Sequence, residues 1–205
     1  MLLICLLMIS AFNRSEAQGL RFHGNEMVIA DRSALTIPSP DDSVDPVNHI
    51  SVKFSIHVNN ISSSGFIFGI TNRSDGEMFN LMLRNNISGD SVYIYFAKEG
   101  ERELCSSSFH AGDISTRNIG VEVSIEKESD SGVVSIDGKS CPISNLGVAR
   151  GDFIPQLNFG LTRHIVETAS VTLFGLSVDV DGVLREIPLN ESDGTTVYDS
   201  KGKIA

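Results

Sequence analysis

From Ile50 to Val58 apolar and polar side chains alternate: Ile50, Val52, Phe54, Ile56 and Val58 fall on one side, and Ser51, Lys53, Ser55 and His57 on the other. A period of two belongs to an extended strand with one face buried. The same rhythm returns in Phe79, Leu81 and Leu83, in Val92, Ile94 and Phe96, and in Ile119, Val121, Val123 and Ile125. Between these runs stand turn-forming clusters: Ser62-Ser63-Ser64-Gly65, Asn72-Arg73-Ser74-Asp75-Gly76, Asn85-Asn86, Ser88-Gly89-Asp90, Lys98-Glu99-Gly100 and Asp130-Ser131-Gly132. Half-buried strands at roughly ten-residue spacing predict an antiparallel all-β sandwich or barrel. No segment after residue 17 keeps a helical period over ten or more residues. Phe54, Ile56, Phe68, Leu81, Ile94, Val121, Val123 and Phe159 are the expected core.

One strand breaks the rhythm. Between Ala169 and Val180 the apolar phase passes from Val171 and Leu173 to Phe174, Leu176, Val178 and Val180. A bulge near Phe174-Gly175, or a strand buried on both faces, explains the slip. The chain has no internal repeat and no low-complexity linker, only a looser Pro/Asp-rich stretch from Pro38 to Pro46.

The N-terminus changes the picture of compartment. An unbroken apolar run from Leu2 to Ile9, then small and polar residues up to Ala17, reads as a secretory signal cleaved after Ala17, although Lys and Arg are missing before the run. The competing reading is a buried N-terminal strand or helix. The run is shorter than the ~20 apolar residues of a membrane span, so no stable membrane insertion is expected once it is removed. An exported protein in the periplasm, at the cell surface or outside the cell is the expectation. Of three cysteines, Cys5 leaves with the signal, and Cys105 and Cys141 are free to form one disulfide or to remain two buried thiols.

A chain of 205 residues has length enough for one well-packed domain. Its formal net charge of -10 is unchanged by cleavage, because Arg14 and Glu16 leave together. Such a charge offers no attraction to phosphate backbones or anionic bilayers, which argues against nucleic acid and peripheral lipid as partners.

Several strands are recognisable in their order. Ser51-Val52-Lys53-Phe54-Ser55-Ile56, Gly65-Phe66-Ile67-Phe68-Gly69-Ile70, Gly120-Val121-Glu122-Val123-Ser124-Ile125 and Val134-Ser135-Ile136-Asp137-Gly138-Lys139 follow one another as in laminin-G-like domains. Leu157-Asn158-Phe159-Gly160 and the stretch from Val171 to Val178 resemble that family's last strands. The resemblance implies an antiparallel two-sheet jelly-roll sandwich of the concanavalin A-like or laminin-G-like kind over residues 18–185. It is similar to exported bacterial proteins in which such a domain precedes a Kelch-type propeller. The tail from Pro188 to Gly202 is similar to the junction leading into the next module, so residues 186–205 are expected to be an extension or a truncated junction. Ile187 and Leu189 should dock on the sandwich and the chain from Asp199 onward should be exposed and mobile.

Sandwiches of this kind include glycosidases with carboxylates at alternate positions of one strand. Glu122 and Glu126 share a face here, but Ser124 stands where the motif has an Asp. Four positions span ~13 Å along a strand, against the ~5 Å of a retaining pair, unless a bulge shortens the distance. A solvated polar face is the plainer reading, and no enzyme is expected. The five histidines, His23, His49, His57, His110 and His164, lack zinc-site spacing, and neither a phosphate-binding Gly loop nor a Gly-x-Ser-x-Gly elbow occurs. No cofactor is required. The resemblance admits calcium at loop carboxylates, for which Asp75, Asp179 and Asp181 are the candidates, although Asp at such turns more often serves the backbone.

A sugar site needs an exposed aromatic platform with polar neighbours. Tyr93 and Tyr95 lie opposite the apolar face of their strand, as do Asn80 and Arg84 on theirs, and the four line one surface if the strands are neighbours. Outward tyrosines and an arginine are also ordinary sheet-surface residues, and the chain has no Trp. The sequons at Asn60, Asn72, Asn86 and Asn190 bear glycans only in a eukaryotic route, which the bacterial resemblance discounts. The leading expectation is therefore a recognition module for a glycan or protein partner. A spacer packed against a propeller comes second and a glycosidase third.

Overall fold

The computed structural model describes residues 19–23, 33–38, 45–160, 165, 167–190 and 196–204. The apolar N-terminal run with Cys5, most of the Pro/Asp-rich stretch and His164 lie outside them. The strands are β1 (Leu20–Phe22), β2 (Ala34–Ile37), β3 (His49–Val58), β4 (Gly65–Asn72), β5 (Met78–Asn85), β6 (Ser91–Lys98) and β7 (Glu103–His110). After a one-turn helix α1 (Ala111–Ile114) come β8 (Ile119–Glu126), β9 (Ser131–Ile136), β10 (Lys139–Ser144), β11 (Pro155–Gly160), β12 (Val171–Val180) and β13 (Val183–Ile187). Apart from α1, a single 3-10 turn at Val148–Arg150 is the helical content of the described residues.

All pairings named here are antiparallel and make two sheets. One runs β1-β12-β3-β8-β9-β10, with β13 also on β12, and the other runs β2-β11-β4-β5-β6-β7. The protein is an antiparallel two-sheet jelly-roll sandwich. Its core is where the alternation put it: the eight residues expected to be buried are all 2% exposed or less. Phe22, Phe54, Phe68 and Phe159 meet at the centre, the Phe159 ring lying 4.8 Å from Phe68, 5.4 Å from Phe54 and 6.5 Å from Phe22. Phe22 and Phe54 come from the seven-stranded sheet, Phe68 and Phe159 from the six-stranded one, so this cluster joins the layers.

The phase slip in β12 is a bulge. Phe174 pairs with Ser55 but Ser177 with Lys53, so β12 spends one residue more than β3. Gly175 takes the left-handed conformation there (φ 56°), which costs little without a Cβ. Leu176, Val178 and Val180 then face the core beside Leu173.

Cys105 on β7 and Cys141 on β10 are disulfide-bonded, their Cα atoms 5.7 Å apart. They sit not on neighbouring strands of one sheet but on the last strands of the two facing sheets. The bond therefore closes one open side of the sandwich. Lys139 Nζ, donating to the Ser106 carbonyl at 2.7 Å, supports the same edge.

The C-terminal end differs from expectation. β13 runs through residue 185 to Ile187 and pairs with β12, so the sheet continues into the segment read as an extension. Ile187 and Leu189 are buried, as expected. Asp199 was expected to be exposed but is 7% exposed. Its carboxylate accepts from the Lys201 and Lys203 amides, each at 2.9 Å, and faces Arg185 Nε at 3.5 Å. Ser200 N also donates to the Glu186 carbonyl at 2.7 Å. An Asp followed by turn residues can satisfy nearby amides with its own side chain, and that chemistry ties the segment to β13. Residues 200–204 remain exposed.

The Lys203 amide, then the Lys201 amide and Arg185, hold the Asp199 carboxyl below its ordinary value against the opposing effect of burial. A depressed folded value means that the contribution is present above the ordinary aspartate value and is lost as the pH falls through the folded one. Amide protection at Lys201 and Lys203 should therefore fall below roughly pH 4 while β3 and β8 keep theirs. Hydrogen exchange against pH checks this, and Asp199→Ala should give the same local loss at neutral pH.

Candidate functional site

β5 and β6 are joined by a tight turn closed by Asn86, whose Nδ2 donates to Ser88 Oγ at 2.7 Å and Asp90 Oδ1 at 2.6 Å. The bonds from Ser88, then Asn86, hold the Asp90 carboxyl below the usual carboxylate range. That turn fixes the register, in which Arg84 faces Tyr93, Met82 faces Tyr95 and Asn80 faces Ala97. Because Leu81, Leu83, Val92, Ile94 and Phe96 point into the core, the alternate positions Asn80, Arg84, Tyr93 and Tyr95 fall on the outer face of the six-stranded sheet.

The four do not form an open aromatic platform. The Arg84 guanidinium lies over both rings, 5.0 Å from the centre of Tyr95 and 5.6 Å from that of Tyr93. A cation within about 6 Å of a ring centre is attracted by its face. Arg84 Nη2 also donates to Glu103 Oε1 on β7 at 3.0 Å. Three strands thus hold one flat group, and the surface offered to solvent is guanidinium, tyrosine edge and carboxylate.

Asn80 is 6% exposed, and its Oδ1 has no hydrogen-bond partner. In its row stand Gly69 on β4 and Ala97 on β6, the two smallest side chains available. A Cβ on Gly69 would come 3.0 Å from Asn80 Oδ1 and 3.0 Å from the Phe66 ring. Further along the row Asn158 on β11 accepts from Thr36 Oγ1 at 3.3 Å and donates to Thr71 Oγ1 at 3.1 Å. This row of the outer face is thereby lined by amides and hydroxyls, while Phe66 and Met82 lie beside it on the same face.

Sequence reasoning missed Glu103, Asn158 and Phe66. Glu103 is hidden because the β6–β7 register shifts between Phe96 and Ala97, making Leu104 an extra residue. Phe66 is hidden likewise: it pairs with Met82 while Phe68 pairs with Leu81, so the bulge at Ile67 turns the Phe66 ring to the outer face. Asn158 was readable from the alternation in Leu157-Asn158-Phe159, but its row was not.

The three calcium candidates accept from backbone amides, Asp75 and Asp179 within their own turns and Asp181 at the start of β3. Asp75 accepts from Asn72 Nδ2 and Glu77 N, each at 2.9 Å. Asp179 accepts from Gly182 N at 2.9 Å, and Asp181 from His49 N at 2.8 Å and Asn48 N at 3.0 Å. Among the described residues no group of three or more His, Cys, Asp or Glu stands close enough to share a metal ion.

Glu122 and Glu126 lie on the outer face of the other sheet. Glu122 is 3.5 Å from Lys53 Nζ and Glu126 is 2.6 Å from His49 Nδ1. Their strand pairs with β3 and β9 without a register shift, so no bulge shortens the span between them. A shallow depression of about 370 Å³ beside Lys53 and Glu122 is floored by Ser55 and Gly120. His110 Nδ1 accepts from Gly112 N at 3.2 Å and caps α1.

No protein-family model matches the chain, and no curated protein matches it significantly in sequence. Solved structures do resemble it in fold. Mouse laminin alpha1 domains LG4-5 share 17% identity over 89% of this chain and 46% of that one, with a TM-score of 0.49. This chain thus spans under half of that laminin fragment. A family 7 alginate lyase, A1-II', shares 14% identity over 74% of this chain and 71% of that one, with a TM-score of 0.51. Tailspike protein 2 of Escherichia coli O157:H7 bacteriophage CAB120 shares 15% identity over 79% of this chain and 22% of that one, with a TM-score of 0.52. At such identities the likeness is one of fold, and function has to be argued from the site.

Proposed function

We propose that this chain is a non-catalytic recognition module of an exported protein, holding a glycan or protein partner on the outer face of its six-stranded sheet. The observation that carries the reading is the Arg84 guanidinium laid over Tyr93 and Tyr95 and tied to Glu103. Rigid aromatic and arginine groups give contact area at little entropic cost, and they recur as anchors in binding surfaces. The Asn80 Oδ1, which has no hydrogen-bond partner, lies on the same face, and buried polar atoms without a partner are rare enough to need a reason.

Glu122 and Glu126 support the non-catalytic part, since each faces a basic side chain on an unbroken strand. The Cys105–Cys141 bond and the apolar leader support export, because such bonds persist in oxidising compartments. No helix of the described residues is long and apolar enough to cross a membrane. The net charge of -10 disfavours nucleic acid.

A second reading has its own observation. Val183, Leu184, Tyr198 and Ile204 are 61%, 52%, 43% and 68% exposed near the C-terminal end. Exposed apolar residues of this kind suit a spacer packed against a further module, such as a Kelch-type propeller. Retention of the full chain on a panel of immobilised polysaccharides and proteins separates the readings. Arg84→Ala should weaken any retention about tenfold, the order expected for losing a well-placed arginine, while Lys53→Ala on the other sheet leaves it unchanged. Loss on Leu184→Ser with no effect of Arg84→Ala would favour the spacer.

A further inference from the structure

Building on that reading of the face, we infer that its ligand is an uncharged, hydroxyl-rich glycan rather than a uronate or sulfated one. The charge on the face argues for this first. Among the described strand residues turned outward between β2 and β7, Arg84 is the one permanent cation and Glu103 the one carboxylate, and they are paired at 3.0 Å. The outward strand residues of this face therefore sum to no net charge, with the Lys139 ammonium at its β7 edge held on the Ser106 carbonyl, on a chain whose formal charge is -10. An anionic polymer would meet one cation already neutralised, with Glu103 beside it and a repelling field around it.

The hydrogen-bonding groups point the same way. Arg84 uses one guanidinium nitrogen on Glu103, which leaves further N–H donors in the same plane. The Glu103 carboxylate keeps acceptor capacity beyond that bond. A paired donor and acceptor side by side match two adjacent sugar hydroxyls, one accepting from Arg84 and the other donating to Glu103. A carboxylate or sulfate can take the donor half but is refused by the acceptor half. Elsewhere on the outer face the strand positions add uncharged polar groups, Asn158, Thr71, Ser106 and Ser108, with Asn80 almost wholly buried among them. Tyr93, Tyr95 and Met82 supply the apolar edge against which the C–H face of a sugar packs.

The test is affinity electrophoresis of the full chain through gels containing laminarin, mannan, dextran or arabinoxylan, and through gels containing alginate, polygalacturonate or heparin, at low salt and at roughly 0.3 M NaCl. At least one neutral polysaccharide should retard the protein, with a change in affinity below about twofold between the salts. Glu103→Gln decides the sign. It removes the charged acceptor and should weaken binding of a neutral sugar about tenfold, whereas it would free Arg84 and tighten binding of an anionic one. Retardation by the acidic polymers alone, lost in salt and strengthened by Glu103→Gln, would overturn the inference and leave the recognition face standing. No retardation by either class would overturn it as well, and a protein partner sensitive to Arg84→Ala would then be what remains of the proposed function.

Discussion

Phe159→Ala is expected to lower the unfolding free energy by about 4 kcal/mol, the middle of the range for large aromatic side chains removed from a core. Phe159 is fully buried, and its ring touches aromatic neighbours from β1, β3 and β4. Truncation removes the apolar contact and leaves a cavity where the two sheets meet, which neither can fill without shifting a whole strand. Aromatic pairs add to the loss beyond burial. Urea denaturation followed by circular dichroism measures it as a fall in the midpoint at unchanged slope. Phe159→Leu, which keeps most of the volume, should cost clearly less. A loss below about 1 kcal/mol for the alanine variant would show that the cluster collapses freely and does not hold the layers together.

Reducing the Cys105–Cys141 bond should cost about as much by another route. The cysteines are 36 residues apart, and closing a loop of that length removes conformational freedom from the unfolded chain worth about 4 kcal/mol at room temperature. The bond also fastens β7 to β10 at the side of the sandwich where no strand bridges the sheets. Comparing urea midpoints with and without a thiol reductant, and for the Cys105→Ser/Cys141→Ser double variant, tests this. The loss should add to that of Phe159→Ala, because the two sites share no partner. An unchanged midpoint under reduction would mean that packing alone holds this edge.

The legible part of the fold was the part with a clean period. β3, β6 and β8 each bury one face, and β5 buries Phe79, Leu81 and Leu83 whatever else it covers, so alternation alone located Phe54, Leu81, Ile94 and Val123 in the core. Gly175 made the slip in β12 interpretable, because a bulge there needs little more than a residue tolerant of positive φ. What alternation does not contain is which strand lies beside which. β3 pairs with β8 and β12 across long stretches of chain, and the cysteine strands turn out to face each other across the sandwich. Bulges in β4 and at the start of β7 removed Phe66 and Glu103 from the pattern, since one extra residue reverses the apparent face. Of the site, Tyr93, Tyr95, Arg84 and Asn80 were readable as outward positions, while the stacking of Arg84 on both rings was not. At the acidic turns, Asp75, Asp179 and Asp181 accept from backbone amides, the backbone role that the sequence also offered for them. Asp199 was misjudged for a related reason, as its turn looked like a loose end but docks through Arg185 and Glu186.

The central claim is that the outer face of the six-stranded sheet is where this module meets its ligand. The most direct measurement is a backbone and side-chain NMR titration of the full chain with the polysaccharide that retards it best. Shifts should concentrate at Asn80, Arg84, Tyr93, Tyr95 and Asn158, with Lys53, Ser55 and Glu122 on the opposite sheet unmoved. Shifts centred instead on Ser55 and Glu122, or on Val183 and Leu184, would contradict the account.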